Sequence, residues 1–511
     1  MMWSKAFVLS LQVACATTCA AEASSPVNST LPSIDVELTP ILDVVNYTGI
    51  NGELVMDIHF ANNETLLVLP LEMANAPSAQ YTTETLEAWD CLGQLRLTQS
   101  DGTGSDSQPS RFWAVQRATQ GPVVVRFKAK PYQIDPNAMV GPLFDIRSNG
   151  DGLLGSTWAL VPLPPDNTAQ YQFSLRWNLK HSPQDAKAAW TWGEGPAPVT
   201  ISGTSATFLY TFWAVGSMSA YPSDSDSKPL SPDYSMYWLE QPPFDVDTIA
   251  AFVDKFFNYS SIFWKDTNGE PYRVFIRHNQ ETGTGGTALL RSFTFGWHDA
   301  NSTAEDKLEL LLSHEITHNW PQINDVNAAG TRYAEGTAEY YSLRLLWRNN
   351  QISTETYLSE MNARLKTYYL NPYVNLTDED AYDQAWEARQ AQTIPYGRGL
   401  IYLTNLDAQM RAVSNSDGRE SLDTIVLELL DICRASSSQC TEVQLLKLLE
   451  KYLGQEGVEE YHAVSTGQPL IQPLEDSLGP CFEVIETQTN PAVFQWRFRD
   501  GKDASSEDCL I

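Results

Sequence analysis

Residues 311–341, which read LLSHEITHNWPQINDVNAAGTRYAEGTAEYY, determine how the rest of this chain is interpreted. Within this stretch His314, Glu315 and His318 form an H-E-x-x-H motif. If the segment is helical, the two histidines lie one turn apart on the same face, so that two imidazole nitrogens can reach one metal ion. The motif therefore predicts a metal site on a helix, with Glu315 beside the metal.

The third ligand is predicted to come from a second helix in the same stretch. Glu335 and Glu339 lie one turn apart there, so both carboxylates are candidates. Glu335 is favoured because the following residue, Gly336, leaves room for a close approach. Glu339 would then accept a hydrogen bond from the outer N–H of a ligating histidine. The alternative is that one or both are ordinary carboxylates on a helix surface.

The residue types in this set suit zinc. Zinc binds neutral nitrogen and carboxylate oxygen in a tetrahedral arrangement, and a catalytic zinc site keeps its fourth position for water. Bound zinc lowers the pKa of that water toward about 7, and a carboxylate beside it can take the proton as the water attacks a carbonyl carbon. Glu315 is therefore the predicted general base, and Zn2+ is the predicted cofactor.

Helical patterns support this placement of the motif. Residues 302–319 predict a helix with a capping-box pattern at Ser302 and Glu305 and an apolar stripe beyond it. A second helix is predicted over residues 333–348. Further helices are predicted at residues 355–368, 398–413, 421–434 and 441–453, and the last of these begins with a Thr441 capping box and ends at Gly454.

The first part of the chain has a different pattern. From about residue 33 to residue 216, short alternating runs such as ELVMDIHF and PVVVRFKA are separated by turn-rich segments. Many short strands without helical periodicity predict an antiparallel, sandwich-like domain. Residues 217–243 are rich in Ser, Pro and Asp, and they predict a surface connection into the next part of the chain.

Composition narrows the class of partner. The 511 residues include 33 basic and 63 acidic side chains, for a formal charge of -30. Nucleic acid and anionic membranes are disfavoured as partners, because both need clustered Lys and Arg. The acidity is interpreted as a means of solubility.

The N-terminal segment and the sequons predict a secreted protein. A short basic start, an apolar run and a small-residue region within residues 1–23 are typical of a secretory signal peptide. After it, no apolar run reaches the roughly 18 residues that a membrane helix needs. Six N-x-S/T sequons predict N-glycosylation in an extracellular compartment, at Asn28, Asn46, Asn63, Asn258, Asn301 and Asn375.

Cysteine spacing suggests a disulfide pattern. If the signal peptide is removed, five cysteines remain, and an odd count leaves at least one unpaired within a monomer. Short separations favour Cys433 with Cys440 and Cys481 with Cys509. Cys91 would then be a buried thiol, although sequence alone does not fix the pairing.

The metal stretch resembles a known family. HEITHNW followed by YAEGTAEYY is similar to gluzincin-type zinc metallopeptidases whose third ligand is a Glu in an N-E-G-like sequence. These are the aminopeptidase N and leukotriene-hydrolase group and the glycyl aminopeptidase group. Downstream, IPYGRGLIYLTNLDAQMR resembles the family's Tyr-x-Lys-Gly helix start, and SLDTIVLELL resembles a later helix of the glycyl group. The resemblance covers about residues 272–453, and the region before it fits the family's N-terminal β-domain more loosely.

This resemblance implies roles for individual residues. It implies zinc on His314, His318 and Glu335, Glu315 as the base, and Tyr396 as the phenol that hydrogen-bonds the tetrahedral oxyanion. Such a donor stabilises charge that appears only in the transition state. The alternative for Tyr396 is a packed aromatic at a helix start. Two departures concern this region: only sixteen residues separate His318 from Glu335, and the family's Lys is replaced by Arg398, a predicted substrate contact with changed geometry.

A third departure concerns substrate recognition. In these exopeptidases an edge strand carries a Gly-x-Met-Glu-Asn or Gly-Gly-Leu-Glu-His signature, whose Glu binds the free α-amine of the substrate. Here the strand reads GGTALLRS, and Ala288 matches that Glu. Without the carboxylate, the charge-assisted bond that favours an N-terminal substrate is lost. Gly285 and Gly286 are still predicted to bind an extended peptide by backbone pairing.

The predicted fold is α+β and multidomain. Residues 1–23 form the signal peptide, and residues 24–193 the antiparallel β-sandwich-like domain. Residues 194–475 form a thermolysin-like catalytic domain with a mixed sheet and helices, and residues 476–511 a short C-terminal segment tied by a disulfide.

The leading hypothesis is a secreted zinc peptidase that cleaves peptide or protein substrates through a metal-activated water, as either an aminopeptidase or an endopeptidase. The alternatives are a catalytically silent peptide-binding protein on the same scaffold, which the loss at Ala288 would suit, and a non-peptide hydrolase.

Overall fold

The computed structural model describes residues 31–73, 76–104, 108–133, 142–223, 230–266, 268–280, 284–298, 305–385, 387–413, 421–502 and 509. The predicted signal peptide, the sequons at Asn28 and Asn301 and the predicted cap Ser302 lie outside these residues. The chain packs as two compact units. The first unit comprises Met1–Ala250 and Gly269–Ala304, and the second comprises Ala251–Asn268 and Glu305–Ile511. The predicted domain borders near residues 193 and 475 stay predictions.

The regular elements of the described part of the first unit are strands, apart from one short helix, α1 (Ser205–Leu209), and the first turn of a longer helix described below. The strands are β1 (Ser33–Asp43), β2 (Asn46–Met56), β3 (Thr65–Pro70), β4 (Glu72–Met73), β5 (Ala76–Pro77), β6 (Leu86–Asp90), β7 (Gly93–Leu95), β8 (Leu97–Thr103), β9 (Pro109–Val115), β10 (Val123–Ala129), β11 (Arg147–Asn149), β12 (Gly152–Ser156), β13 (Tyr171–Trp177), β14 (Lys187–Trp190), β15 (Gly193–Glu194), β16 (Val199–Gly203), β17 (Phe212–Gly216), β18 (Ser219–Tyr221), β19 (Tyr234–Trp238), β20 (Tyr272–His278), β21 (Gly285–Leu289) and β22 (Ser292–Trp297).

The largest sheet of this unit has the strand order β16-β13-β1-β2-β10-β6-β7. Buried and solvent-facing residues alternate along β10 and β13, as period-two side-chain geometry requires. A core that includes the buried side chains of Trp113, Trp190 and Trp213 lies within the unit. Because β1 and β13 pair in parallel, the sheet is mixed and not purely antiparallel as predicted. The long chain segment between these two strands supplies the crossover that parallel pairing needs.

A second sheet has the order β18-β19-β20-β22-β21. The pairs β19–β20 and β20–β22 are parallel, whereas the outer strands β18 and β21 run antiparallel to their neighbours. Every residue of β19 and of β22 is buried, as is typical of inner strands covered on both faces. The predicted surface connection at residues 217–243 therefore also contains a buried strand. Its polar flanks conceal the strand in the sequence.

The second unit is mainly helical, and a β-hairpin follows its last helix. Helix α2 (Val246–Phe263) begins in the first unit and continues into the second. The other elements are α3 (Glu305–Thr317), α4 (Ala328–Arg348), α5 (Thr354–Tyr369), α6 (Asp378–Asp383), α7 (Arg389–Gln392), α8 (Ile394–Val413), α9 (Leu422–Ala435), a 3-10 turn (Ser437–Gln439), α10 (Glu442–Ser465), β23 (Phe482–Thr489) and β24 (Ala492–Phe498).

These observations confirm a mixed α/β chain with several sheets and helices. Among the described helices, none combines the length and the apolar character needed to cross a membrane.

The predicted cap of α10 is wrong in its mechanism. Thr441 is the N-cap residue, but its side chain makes no capping hydrogen bond. The backbone N–H of Glu442 instead donates to the Asp325 carboxylate, at 2.6 Å. The helical path also resumes after Gly454, which breaks the helix with a φ of 72°. A glycine tolerates this left-handed conformation, so the segment turns and forms further helical turns.

Two predicted disulfides are present, Cys433–Cys440 and Cys481–Cys509. The prediction of a free thiol at Cys91 is wrong, because Cys91 is disulfide-bonded as well. That prediction depended on counting only the five cysteines that remain after removal of a signal peptide. The whole chain has seven cysteines, so an odd count still leaves at least one of them unpaired, but it does not identify Cys91 as that residue.

Candidate metal centre

Helices α3 and α4 bring the predicted metal ligands together in the second unit. One ligand atom from each of His314, His318 and Glu335 lies within 4.8 Å of the other two. The Glu335 Oε2 atom is 3.3 Å from Nε2 of His314 and 3.4 Å from Nε2 of His318. His314 lies in the last turn of α3, and His318 follows directly after the end of that helix. One-turn spacing therefore places both imidazoles on the side that meets Glu335.

The start of α4 fixes the position of the third predicted ligand. The side chain of Asn327 caps this helix by accepting a hydrogen bond from the backbone N–H of Gly330, at 2.8 Å. Such a cap satisfies one of the unpaired N–H groups at a helix start. Glu335 then lies two turns further along the helix, on the face toward the two histidines.

Attraction between the histidines and the nearby carboxylates stabilises the close arrangement of these three side chains. Burial alone would lower the pKa of His314, but its hydrogen bond to Glu335 and the charges of Glu339 and Glu315 raise that pKa to about 9. Burial alone would raise the pKa of Glu335, whereas His318 and His314 lower it far below its usual range. The side chains are only 7% exposed for His314 and 19% exposed for Glu335, so solvent screens this pair little.

Two imidazole nitrogens and one carboxylate oxygen are a donor set that fits zinc. The same three-residue set, two His and one Glu, holds zinc in hydrolytic sites that keep one position open. Glu315, the neighbour of His314, is partly buried beside this set. Burial raises the pKa of Glu315 above its ordinary value, although the two histidines act in the opposite direction.

Glu339 lies behind the first histidine. Its Oε1 atom is 3.5 Å from Nδ1 of His314, which is the nitrogen on the far side of the ring from Glu335. The other carboxylate oxygen of Glu339 accepts a hydrogen bond from Nε of Arg364 on α5. An outer carboxylate in this position orients a ligating imidazole and fixes its tautomer.

Tyr396, near the start of α8, also lies at the site. Its ring stacks on the ring of His314, with centroids 5.7 Å apart and planes 10° from parallel. Burial and then the charges of Glu335 and Glu315 raise the pKa of Tyr396 well above its ordinary value. The phenol therefore keeps its proton, and it remains a hydrogen-bond donor, at neutral pH.

A close helix crossing brings Tyr396 to this position. Gly336 on α4 faces Gly399 on α8, and a Cβ atom built on Gly336 would lie 2.7 Å from the Cα of Gly399. A Cβ atom on Gly399 would lie 2.5 Å from the backbone oxygen of Arg332. The space predicted beside Glu335 is therefore occupied by a neighbouring helix, whose first turn carries Tyr396.

Arg398 has structural contacts in place of the predicted contact with substrate. The residue is 0% exposed. Its guanidinium donates to Asp378, at 2.6 Å, and to the backbone oxygens of Val374 and Leu376. Asp378 also pairs with Arg332 of α4, at 3.2 Å. A fully buried guanidinium with these partners anchors the start of α8.

The predicted substrate glycines lie in the first unit. Gly285 and Gly286 are on β21, which ends the strand order of its sheet and pairs with β22. Ala288 occupies the same strand, and the backbone N–H of Leu143 donates to the side chain of Thr287 between them, at 2.8 Å. Among the described residues, β21 therefore carries no carboxylate.

Sequence reasoning missed Arg364 and Gly399. A sequence signal existed for Arg364, since Glu360 precedes it by four residues and the two side chains pair at 3.0 Å. That spacing predicts a surface ion pair and does not indicate the buried partner Glu339. No signal in the sequence relates Gly399 to Gly336, because helix crossings depend on tertiary packing.

Comparisons with known proteins give the fold a context. No protein-family profile matches this sequence, and no curated protein matches it. Among solved structures, an aminopeptidase N family protein from Idiomarina loihiensis has a TM-score of 0.65 at 15% identity, covering 89% of this chain and 79% of its own.

Two further structures are similar. A mutant M1 zinc metallopeptidase from Deinococcus radiodurans, bound to a Tyr-Ser-Ala substrate, has a TM-score of 0.54 at 15% identity and covers 89% of this chain and 100% of its own. Yeast LTA4 hydrolase has a TM-score of 0.50 at 13% identity and covers 89% and 71%. The resemblance predicted from the metal motif is confirmed at the level of architecture, and this chain has the fold of the M1 zinc metallopeptidases.

Proposed function

We propose that this chain is a secreted, zinc-dependent peptidase. The observation that carries the proposal is the convergence of His314, His318 and Glu335 within 4.8 Å, on a fold shared with M1 zinc metallopeptidases. We further propose that residues 194–475 form a thermolysin-like catalytic domain with a mixed sheet and helices.

His314, His318 and Glu335 would hold the zinc ion. When bound, zinc would supply Lewis-acid chemistry, which polarises a carbonyl oxygen and makes a water molecule more acidic. The carboxylate of Glu315 would accept a proton from the attacking water and deliver it to the leaving nitrogen. The hydroxyl of Tyr396 would donate a hydrogen bond to the oxygen that becomes negative in the tetrahedral intermediate. Glu339 would keep the ring of His314 in its ligating orientation.

Substitution of Glu315 tests the proposed chemistry. We expect Glu315→Gln to retain zinc affinity, because the amide keeps the shape of the side chain and is not a ligand. Turnover should fall by about 10²–10⁴-fold, the usual contribution of a positioned acid–base group. Hydrolysis of a mixed peptide pool and zinc content are measured for both proteins, before and after treatment with a chelator. Wild-type turnover in E315Q would exclude Glu315 as the base.

Structural similarity suggests the class of substrate, and the sequence of β21 bears on whether a free N-terminal amine is needed. The M1 zinc metallopeptidase from Deinococcus radiodurans has been solved with a Tyr-Ser-Ala substrate, and we propose that this chain also takes peptides. Because Ala288 provides no carboxylate, we expect little dependence on a free N-terminal amine. Cleavage-site mapping on matched peptides with free and acetylated N-termini distinguishes the modes. Cleavage restricted to free N-termini would identify an aminopeptidase with another amine-binding group.

A further inference from the structure

A chain of charged side chains extends from the back of the metal site. It begins at Nδ1 of His314, passes through Glu339 to Arg364, and continues to Glu360, whose Oε2 is 3.0 Å from the guanidinium. Lys307 then contacts the other oxygen of Glu360 at 2.5 Å. Since Lys307 and His314 lie on α3, Glu339 on α4, and Arg364 and Glu360 on α5, the chain starts and ends on the same helix.

The central pair of this chain is well shielded from solvent. Glu339 is 9% exposed, and the side chain of Arg364 is 20% exposed. A buried carboxylate is costly unless a charged donor pairs with it. Arg364 contacts the oxygen of Glu339 that does not face His314. It therefore leaves the second oxygen directed at the imidazole.

The guanidinium is itself held in place. Besides Glu339, it donates to the backbone oxygen of Glu360, at 3.1 Å, and to the carboxylate of the same residue. A planar guanidinium with fixed partners on both sides has little freedom to rotate, and a lysine could not reproduce this fork. The orientation is thus transmitted from α5 through Glu339 to the ring of His314.

We propose that Arg364 is a positioning residue for the metal centre, which it serves by fixing the Glu339 carboxylate against Nδ1 of His314. This inference rests on the proposed zinc site. Loss of such an outer partner typically weakens metal binding by about 10–100-fold. The proposal concerns the orientation of an existing ligand and does not place Arg364 in contact with metal or substrate.

The test is the zinc affinity of full-length Arg364→Gln, measured by competition with a chromophoric chelator after removal of bound metal. We expect affinity to fall by about 10–100-fold relative to wild type, and the visible spectrum of bound Co2+ to change because the ligand field is altered. The matched control is Arg348→Gln. Arg348 lies on α4, the helix that carries Glu339, and its guanidinium pairs with Asp423 at 2.8 Å, but it lies about 20 Å along the helix from Glu335.

The control separates positioning from general destabilisation. Both variants lose a shielded ion pair of helix α4 and should unfold at lower denaturant concentration, whereas only R364Q should lose zinc affinity. Equal zinc affinity in R364Q and R348Q would overturn the inference. Failure of the wild-type chain to bind zinc would instead overturn the proposed function, so the two failures are distinguishable.

A double-mutant cycle tests the route through Glu339. If Arg364 affects the metal centre only through that carboxylate, R364Q should cause no further loss of zinc affinity in a Glu339→Gln background. Additive losses would contradict the mechanism. If R364Q does not fold, Arg364→Lys carries the test, since it keeps the charge and part of the packed stem. It should weaken zinc binding measurably, and wild-type affinity in R364K would overturn the inference.

Discussion

At the scale of residues, some contacts of the site could be predicted from spacing in the sequence, and others are formed only when distant segments fold together. His314 and His318 are one turn apart, so their common direction could be predicted from spacing alone. The partnership of Glu339 with Arg364 spans 25 residues and two helices. Each helix could be predicted, but the rotation of one against another depends on packing across the whole unit. The same limit explains why Arg398 was expected at a substrate and is buried instead.

Tyr396 allows a sharp prediction at this scale. We expect Tyr396→Phe to lower kcat by about 10²–10³-fold, as removal of one oxyanion donor does in other hydrolases. Zinc affinity should not change, because the ring that stacks on His314 is retained. The measurement is steady-state peptide hydrolysis together with zinc competition.

A tyrosine on the same helix provides the control for that substitution. Tyr402 lies on α8, about 9 Å along the helix from Tyr396, and its ring contacts Arg332 and Tyr461. Tyr402→Phe should retain wild-type kcat. If Y396F and Y402F had the same activity, Tyr396 would be a packed aromatic without a catalytic role.

At the scale of elements, long periodic helices were predictable and their contacts were not. The predicted second helix, for example, begins five residues earlier in the structure, at Ala328, because Asn327 caps it. The N-terminus of α10 differs more, since Asp325, 117 positions away in sequence, contacts its first N–H. A local capping pattern at Thr441 could not reveal this partner.

The crossing of α4 and α8 predicts whether replacing a glycine there raises or lowers the free energy of unfolding. In an unconstrained helix, Gly→Ala stabilises by about 1 kcal/mol. At Gly399 the new Cβ would lie 2.5 Å from a backbone oxygen, so the helices must separate, at a cost of about 1–3 kcal/mol. We therefore expect Gly399→Ala to lower the free energy of unfolding, measured by denaturant titration, and to lower kcat through displacement of Tyr396. A stabilised G399A protein would show that the crossing is loose.

The loop between the two ligand-bearing helices is fixed by a disulfide segment. The backbone N–H of Asn324 donates to the Cys440 oxygen at 2.7 Å, and the Sγ atom of Cys440 is 3.2 Å from the backbone oxygen of Gln322. Cys433 and Cys440 join the end of α9 to the start of α10. The relative position of His318 and Glu335 thus depends on an element more than 100 residues downstream.

Removal of that disulfide should affect both stability and metal retention. We expect the double variant Cys433→Ser, Cys440→Ser to lose about 2 kcal/mol of unfolding free energy, given the short loop it closes. Zinc should also dissociate faster, because the loop that spaces the ligands loses its support. The control replaces Cys481 and Cys509, which should lower stability without changing the zinc dissociation rate. Equal zinc dissociation rates in the two variants would show that the support of this loop by the Cys433–Cys440 disulfide does not affect zinc retention.

At the scale of the whole molecule, the proposed secretion makes a prediction about surface sequons. Asn46, Asn63 and Asn375 are exposed, whereas Asn258 is half-buried within helix α2. We expect glycans at the three exposed positions and none at Asn258, because transfer requires an accessible, flexible acceptor. Mass spectrometry after enzymatic deglycosylation in heavy-oxygen water identifies the occupied sites. A glycan at Asn258 alone would contradict this assignment.

The way the chain passes between the two units has a consequence for genetic recombination and for synthesis on the ribosome. The chain leaves the first unit after Ala250, returns at Gly269 and leaves again after Ala304. No single cut separates the units: a gene truncated after residue 250 lacks β20, β21 and β22, and one truncated after residue 304 keeps residues 251–268 without the helices they pack with. Recombination at one point cannot exchange either unit intact. On the ribosome, the first unit becomes complete only after a segment of the second has already been made.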